Sequence, residues 1–223
     1  AVVDSTNRYL LDLARRGAPD GVVVVADYQS AGRGRLGRSW EASPGAALLA
    51  SILLRPDRDT LAPDRRWLAA AAVALAGAEA CGPNVGIKWP NDLLLGDRKL
   101  AGILAEADAG AIVVGIGINV ASAPPGATWL EVAGEGRTHV DRGQLLAALL
   151  TNLERWCDHW DDVASAYRAR CATIGRQVRL ELPDGTSVVG QATAVAPDGG
   201  LRVRARNGEL AFHAADVIHV TGP

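Results

Sequence analysis

Residues 29–46 read QSAGRGRLGRSWEASPGA, and whether a helix follows their glycines decides the fold. Gly32, Gly34 and Gly37 match G-x-G-x-x-G, the dinucleotide-binding fingerprint. That fingerprint needs a strand before the glycines and a helix opening at them. The strand is there, as VVVVA at 22–26. The helix is not: RSWEASPGA, residues 38–46, is too short for a crossover and is interrupted by Pro44. Parallel strands need a crossover of about a dozen residues or more. The strand at 22–26 and the next one, ALLASILL at 47–54, are therefore expected to be antiparallel neighbours. The dinucleotide alternative would set Asp57 against a ribose.

Read as chemistry, the same loop carries Arg33, Arg35 and Arg38 with little bulk between them. Arg33 and Arg35 are two residues apart and share one face of an extended segment. Guanidinium groups bind phosphate oxygens in pairs and stay charged at any working pH. The glycines let the loop fold over a ligand and bring backbone N–H groups close to it. Taken alone, the loop is equally well read as a solvated surface turn.

The remaining composition sets limits. The chain has 223 residues, 48% of them apolar, enough for one good-sized core or for one domain plus a small second one. A net charge of −2 argues against a general nucleic-acid binder. Three scattered cysteines (Cys81, Cys157, Cys171) contain no C-x-x-C and suit a reducing cytosol. The four histidines form no zinc motif, and no apolar run is long enough for a membrane span. The first residues do not form a signal peptide, and the chain starts without Met, so upstream residues are an open matter.

Along the chain, Asp4, Ser5 and Thr6 cap an expected helix with Leu10, Leu13 and Ala14 on one stripe and Gly17 at its stop. RRWLAAAAVALAGAEA at 65–80 reads as a second helix. Short extended pieces follow: GIKW, DLLL, KLAGILAEA and AIVVGIGINV. Residues 141–172 read as one or two helices, with Leu145, Leu146, Leu149, Leu150 and Leu153 on one face. Trp67, Trp156 and Trp160 fall on these helices and are read as core. After Ile174 the pattern changes to short β-type runs broken by turns, which suggests a small five-stranded barrel. The expected division is 1–172 and 173–223.

Two more segments carry polar or backbone chemistry. In GIKWPNDLLLGDRKLAGILAEA, Lys88 sits beside an apolar strand, Asn91 and Asp92 follow Pro90, and Lys99 opens the next strand. Each is ordinary by itself; together two lysines and a carboxylate near one sheet suit a triphosphate and its metal. In VVGIGINV at 113–120, Gly115 and Gly117 leave one strand face bare, for a ligand or for a close packing seam.

The ordered set STN, QSAGRGRLGRSW, KWPNDLLL, KLAGILAE and GIGINV resembles the biotin protein ligases over essentially the whole chain. The resemblance implies an α+β fold similar to class II aminoacyl-tRNA synthetases, with a mixed, mainly antiparallel sheet and a C-terminal SH3-like barrel. It implies ATP and biotin as substrates, Mg²⁺ as cofactor, and biotinyl-5′-AMP as intermediate. The acceptor is a lysine on the biotin carboxyl carrier domain of an acetyl-CoA or related carboxylase. It implies biotin contacts from Ser5, Thr6, Asn7, Gln29, Gly32, Arg33, Gly34, Arg35, Lys99, Gly115 and Gly117. Lys99, Arg33 and Arg35 match the catalytic set. The nucleotide side falls to Arg35, Arg38, Trp40, Lys88, Asn91, Asn119 and Trp129, with Asp92 as magnesium ligand. The chain resembles the short form without an N-terminal DNA-binding domain. No nucleic-acid or membrane partner is expected, a cytoplasmic location is, and residues 30–43 are expected to be disordered without ligand. A lipoate or octanoate ligase, and a sensor of biotin or its adenylate without turnover, are the alternatives. Keeping Lys88, Lys99 and Asp92 together argues against the sensor.

Overall fold

The structure, a computed structural model, describes residues 1–56, 61–108, 110–133 and 139–220, so Asp57 lies outside it. The first elements are β1 (Val2–Val3), α1 (Thr6–Arg15), β2 (Val23–Ala26), β3 (Tyr28–Gln29) and β4 (Ala47–Leu54). They are followed by α2 (Trp67–Cys81), β5 (Val85–Lys88), β6 (Asp92–Leu95), β7 (Arg98–Asp108) and β8 (Ala111–Asn119). Ser5 caps α1, its side chain accepting from the Arg8 N–H at 3.5 Å.

Six strands form one sheet in the order β2-β4-β8-β7-β6-β5, every pair antiparallel. The glycine segment therefore joins antiparallel neighbours, as its missing helix requires, and carries only a 3-10 turn at Arg35–Gly37. β1 and β3 add a two-residue parallel pair. The central strands β4 and β8 are buried at every position, which is why both read as almost wholly apolar runs, broken by Ser51 and Asn119. Alternation along β4 sends Leu48, Ala50 and Ile52 to the α2 side and Leu53 to the α1 side. Helices thus cover both faces.

After α3 (Leu130–Ala133), the helices α4 (Arg142–Cys157) and α5 (Trp160–Arg170) pack with α2. β9 (Gln177–Glu181), β10 (Ser187–Val195), β11 (Leu201–Ala205), β12 (Gly208–Phe212) and β13 (Asp216–His219) follow. These five strands make one antiparallel sheet, ordered β12-β11-β10-β9-β13. Among the described residues no pairing joins β12 to β13, so the observed unit is an antiparallel sheet. No helix among the described residues is long and apolar enough to cross a membrane.

The tryptophans differ from expectation. Trp67, Trp156 and Trp160 sit half-buried at the rim of the core. An indole N–H needs an acceptor, and the core interior offers few. Trp67 Nε1 donates to Pro197 O at 3.0 Å and Trp156 Nε1 to Glu79 at 3.2 Å. Trp89, fully in the core, donates to Gly199 O at 2.9 Å. Trp67, at the start of α2, and Trp89, just after β5, thereby hold the turn between β10 and β11.

Thr173 completes that junction. Its buried Oγ1 accepts from the Trp89 N–H at 3.0 Å and lies 3.1 Å from His219 Nε2. The hydroxyl proton is then free to go to the imidazole, which must be neutral to accept it. Burial, with Arg176 and Lys88 nearby, pulls the His219 pKa from 6.5 down to about 4. Between those two values the unfolded chain binds a proton that the folded chain refuses, so stability falls as pH falls through that window. Melting temperatures across it should drop more steeply for the parent than for His219→Gln. Parallel curves would remove His219 from the acid sensitivity.

Candidate active site

The site begins at the start of α1. Ser5, Thr6 and Asn7 are buried there, where an apolar helix face would be expected. Thr6 donates from both its backbone N–H (2.7 Å) and its hydroxyl (3.0 Å) to Gln29 Oε1. Ser51 is the one polar residue of β4. Its Oγ lies 2.7 Å from Thr6 Oγ1 and 2.6 Å from Asn7 Oδ1. Asn7 Nδ2 donates to Leu104 O at 3.0 Å and to Glu106 Oε2 at 2.9 Å. This wall is a connected set of amides and hydroxyls in a low-dielectric setting, each group holding its neighbour in place.

The glycines of β7 and β8 make the floor. A methyl group on Gly115 would lie 2.1 Å from Asn7 Oδ1, and one on Gly117 would lie 2.5 Å from the Trp40 indole. Each bare α-carbon therefore seats a side chain from another element. Gly102, on β7, does the same for Trp40 at 2.9 Å.

The arginine loop forms the roof. Trp40 N–H donates to Gly32 O at 2.9 Å and Gly34 N–H to Arg38 O at 2.7 Å, folding the segment back on itself. Residues 30–43 lie among the described residues in this folded-back arrangement. Each arginine has a partner on a different element. Arg33 Nη1 lies 2.9 Å from Glu106 Oε1, Arg35 Nη1 donates to Asn91 Oδ1 at 3.3 Å, and Arg38 pairs with Asp216 of β13. Burial lowers the Arg35 pKa while Asp92 opposes the shift; the group stays a cation.

At the open end Lys99 Nζ lies 2.6 Å from Asp92 Oδ1, close enough for an ion pair but off the axis of a hydrogen bond. It also stands 5.6 Å from the Trp40 ring centroid. A register shift between Leu93 and Leu94 sets Lys99 opposite Leu94. The Lys99 carbonyl accepts from Thr128 N–H at 2.9 Å, so the 121–129 segment hangs on this residue. Lys88 lies in the adjoining cleft with Arg38 and Asp92; burial lowers its pKa, with Lys99 and Arg38 adding to the effect and Asp92 opposing it.

One cavity gathers Ser5, Thr6, Asn7, Gln29, Gly115 and Gly117 with Arg33, Gly34, Arg35, Arg38 and Trp40, and with Asn91, Asp92 and Lys99. Gly32, Lys88, Asn119 and Trp129 are not among its lining residues. Gly32 lies beneath the loop against Trp40 O. Asn119 is buried and donates to Thr128 O at 3.0 Å, and Trp129 is half-buried at the end of that segment. The sequence reading missed Gly102, Ser51, Glu106 and Asp216. Gly102, alone in an apolar strand, and Ser51, alone in ALLASILL, were visible signals. Asp216 carries none, because it comes from the far sheet.

No cysteine or histidine lines this cavity, and no group of three metal-ligating His, Cys, Asp or Glu occurs among the described residues. A neutral polar pocket opening onto guanidinium and ammonium groups suits the joining of an acyl group to a phosphate. Those features define a class: ligases that activate a carboxylic acid with a nucleotide. The chain belongs to the biotin/lipoate A/B protein ligase family, whose model matches residues 1–122; a model of the biotin protein ligase C-terminal domain matches residues 173–220. It is 39% identical to the biotin–[acetyl-CoA-carboxylase] ligase of Mycobacterium tuberculosis, covering 99% of this chain and 87% of that protein. It is 34% identical to the bifunctional ligase/repressor BirA of Bacillus subtilis, covering 97% and 71%. Among solved structures, the biotin protein ligase of Aquifex aeolicus in complex with biotin and ATP superposes with a TM-score of 0.79. Identity there is 26%, over 98% of this chain and 97% of that one.

Proposed function

We propose that this chain joins biotin to a carboxylase in two steps. Biotin is activated by ATP as biotinyl-5′-AMP and then passed to a lysine of the biotin carboxyl carrier domain. One observation carries the reading: a single cavity brings an amide-and-hydroxyl wall together with Arg33, Arg35 and Lys99. The first suits a ureido ring and the second an acyl phosphate.

In the first step a biotin carboxylate oxygen attacks the α-phosphorus and the bond to the pyrophosphate oxygen breaks. Negative charge gathers on the α-phosphate oxygens, where Lys99, Arg33 and Arg35 are placed to meet it. Arg38 and Lys88 lie further along and suit the leaving pyrophosphate. Ser5, Thr6, Asn7 and Gln29 hold the ring, and Asn119 with Trp129 and its segment serve the adenine. The Trp40 indole N–H is buried without an acceptor, an arrangement that favours a ligand oxygen in front of it. In the second step the carrier amine attacks the acyl carbon, the carbon–oxygen bond breaks and AMP leaves. The closed loop keeps water from the anhydride meanwhile.

Asp92, with Asn91 beside it, is the residue that would hold magnesium. One half-buried carboxylate fits an ion carried mainly by triphosphate oxygens and not a resident protein cage. Bound there, the ion supplies neutralisation of phosphate charge. We further divide the chain at residues 172 and 173, read its last five strands as an SH3-like barrel that braces the loop through Asp216, and place the protein in the cytoplasm.

The test is pyrophosphate–ATP exchange by the chain with Mg²⁺ and, separately, biotin, lipoate, octanoate or no acid. Exchange is expected with biotin alone. Exchange with lipoate or octanoate instead would keep the fold and overturn the substrate.

A further inference from the structure

We infer that Glu106 is a positioning residue that ties the arginine loop to the acyl-group pocket. One carboxylate oxygen lies 2.9 Å from Arg33 Nη1 and the other accepts from Asn7 Nδ2 at 2.9 Å. The inference rests on the reading that this cavity binds biotin and its adenylate.

Glu106 lies in the last part of β7, between the exposed Ala105 and Ala107. Across the ladder it faces Val113, which is fully buried, so the sheet itself offers its charge no partner. Its side chain is only 21% exposed, and a carboxylate so placed needs opposite charge or hydrogen-bond donors. Both come from outside the sheet: the donor from the start of α1, the cation from the loop. Asn7 is in turn fixed by Leu104 O and Ser51 Oγ, and Ser51 touches Thr6. A continuous path therefore runs from Arg33 through Glu106 and Asn7 to Thr6 and Gln29. If the loop opens, Arg33 leaves and Glu106 keeps only the Asn7 amide. The geometry of the polar wall and the closure of the loop are then linked through one side chain.

A double-mutant cycle on the full chain tests this, with KM for biotin in pyrophosphate exchange as readout. Glu106→Gln keeps an acceptor for Asn7 and removes the charge that holds Arg33; Arg33→Gln removes the cation. Each alone is expected to raise KM about tenfold, and the pair together about tenfold rather than about 100-fold. A coupling factor of about threefold or more supports the link. A smaller one, with normal biotin-dependent exchange in the parent, overturns it, because a residue that merely props up Asn7 would act independently of Arg33. Absence of exchange in the parent would overturn the functional reading and this inference with it. Glu106→Asp is run in the same cycle under the same criterion, and decides the matter if Glu106→Gln does not fold.

Discussion

Replacing Lys99 with alanine is expected to slow biotin-dependent pyrophosphate exchange by about 100- to 1,000-fold, the scale set by removing one preorganised charge from a developing oxyanion. Biotin affinity should change far less, since Lys99 pairs with Asp92 and stands over Trp40 while the polar wall is held by its own contacts. The loss should appear equally in kcat and kcat/KM, the sign of a contact made in the transition state only. A complication comes from Asp92, whose side chain is 17% exposed and would lose the ammonium 2.6 Å away. An unpaired carboxylate there costs stability and could shift the phosphate site by itself. Asp92 is also the proposed magnesium ligand, so Lys99→Arg, which keeps a cation beside it, separates the two effects. If the unpaired carboxylate alone is the cause, Lys99→Arg restores exchange; if the lysine itself acts at the α-phosphate, Lys99→Arg stays slow. Near-normal exchange in Lys99→Ala would remove this residue from the chemistry.

The features most legible in the sequence were those set by local rules. Pro44 and the short 38–46 segment exclude a crossover helix, and that one exclusion yields the antiparallel β2–β4 pair. Almost wholly apolar runs mark β4 and β8 because both faces are covered. The five C-terminal strands followed from turn spacing, while their order β12-β11-β10-β9-β13 did not, since pairing order depends on which edges meet in space. The arginines were visible, but their partners were not. Glu106 on β7, Asn91 in the β5–β6 turn and Asp216 on β13 are far apart in the chain, and nothing local to the loop selects them. The bare glycines read as an open floor; in space they are occupied by Asn7 and Trp40. A sequence shows where a side chain is missing, and only the fold shows what takes its place.

Gly115→Ala is expected to weaken biotin binding by about 100-fold or more and to lower the melting temperature by several degrees, the range for overpacking a buried site. The added methyl would lie 2.1 Å from Asn7 Oδ1, 3.0 Å from its Cγ and 3.2 Å from Ser51 Oγ. Asn7 has no room to yield. Its amide nitrogen is held by Leu104 O and Glu106, its oxygen by Ser51, and the residue is 3% exposed. Turning it away would leave buried donors and acceptors unpaired, at about 1–3 kcal/mol each. Gly117→Ala provides the contrast. Its methyl would meet the Trp40 indole at 2.5 Å, but Trp40 belongs to the loop and can lift with it. That variant should keep its melting temperature and release the adenylate faster. The clash itself is tested by making Gly115→Ala both in the parent and in Asn7→Ser, which shortens the opposing side chain. A smaller drop in melting temperature in the Asn7→Ser background, with biotin affinity low in both, would show that Gly115 is bare to seat Asn7, and that Asn7 is the binding group. A Gly115→Ala protein that binds biotin within about threefold of the parent would show that Asn7 can move after all, and the rigid polar wall would have to be abandoned.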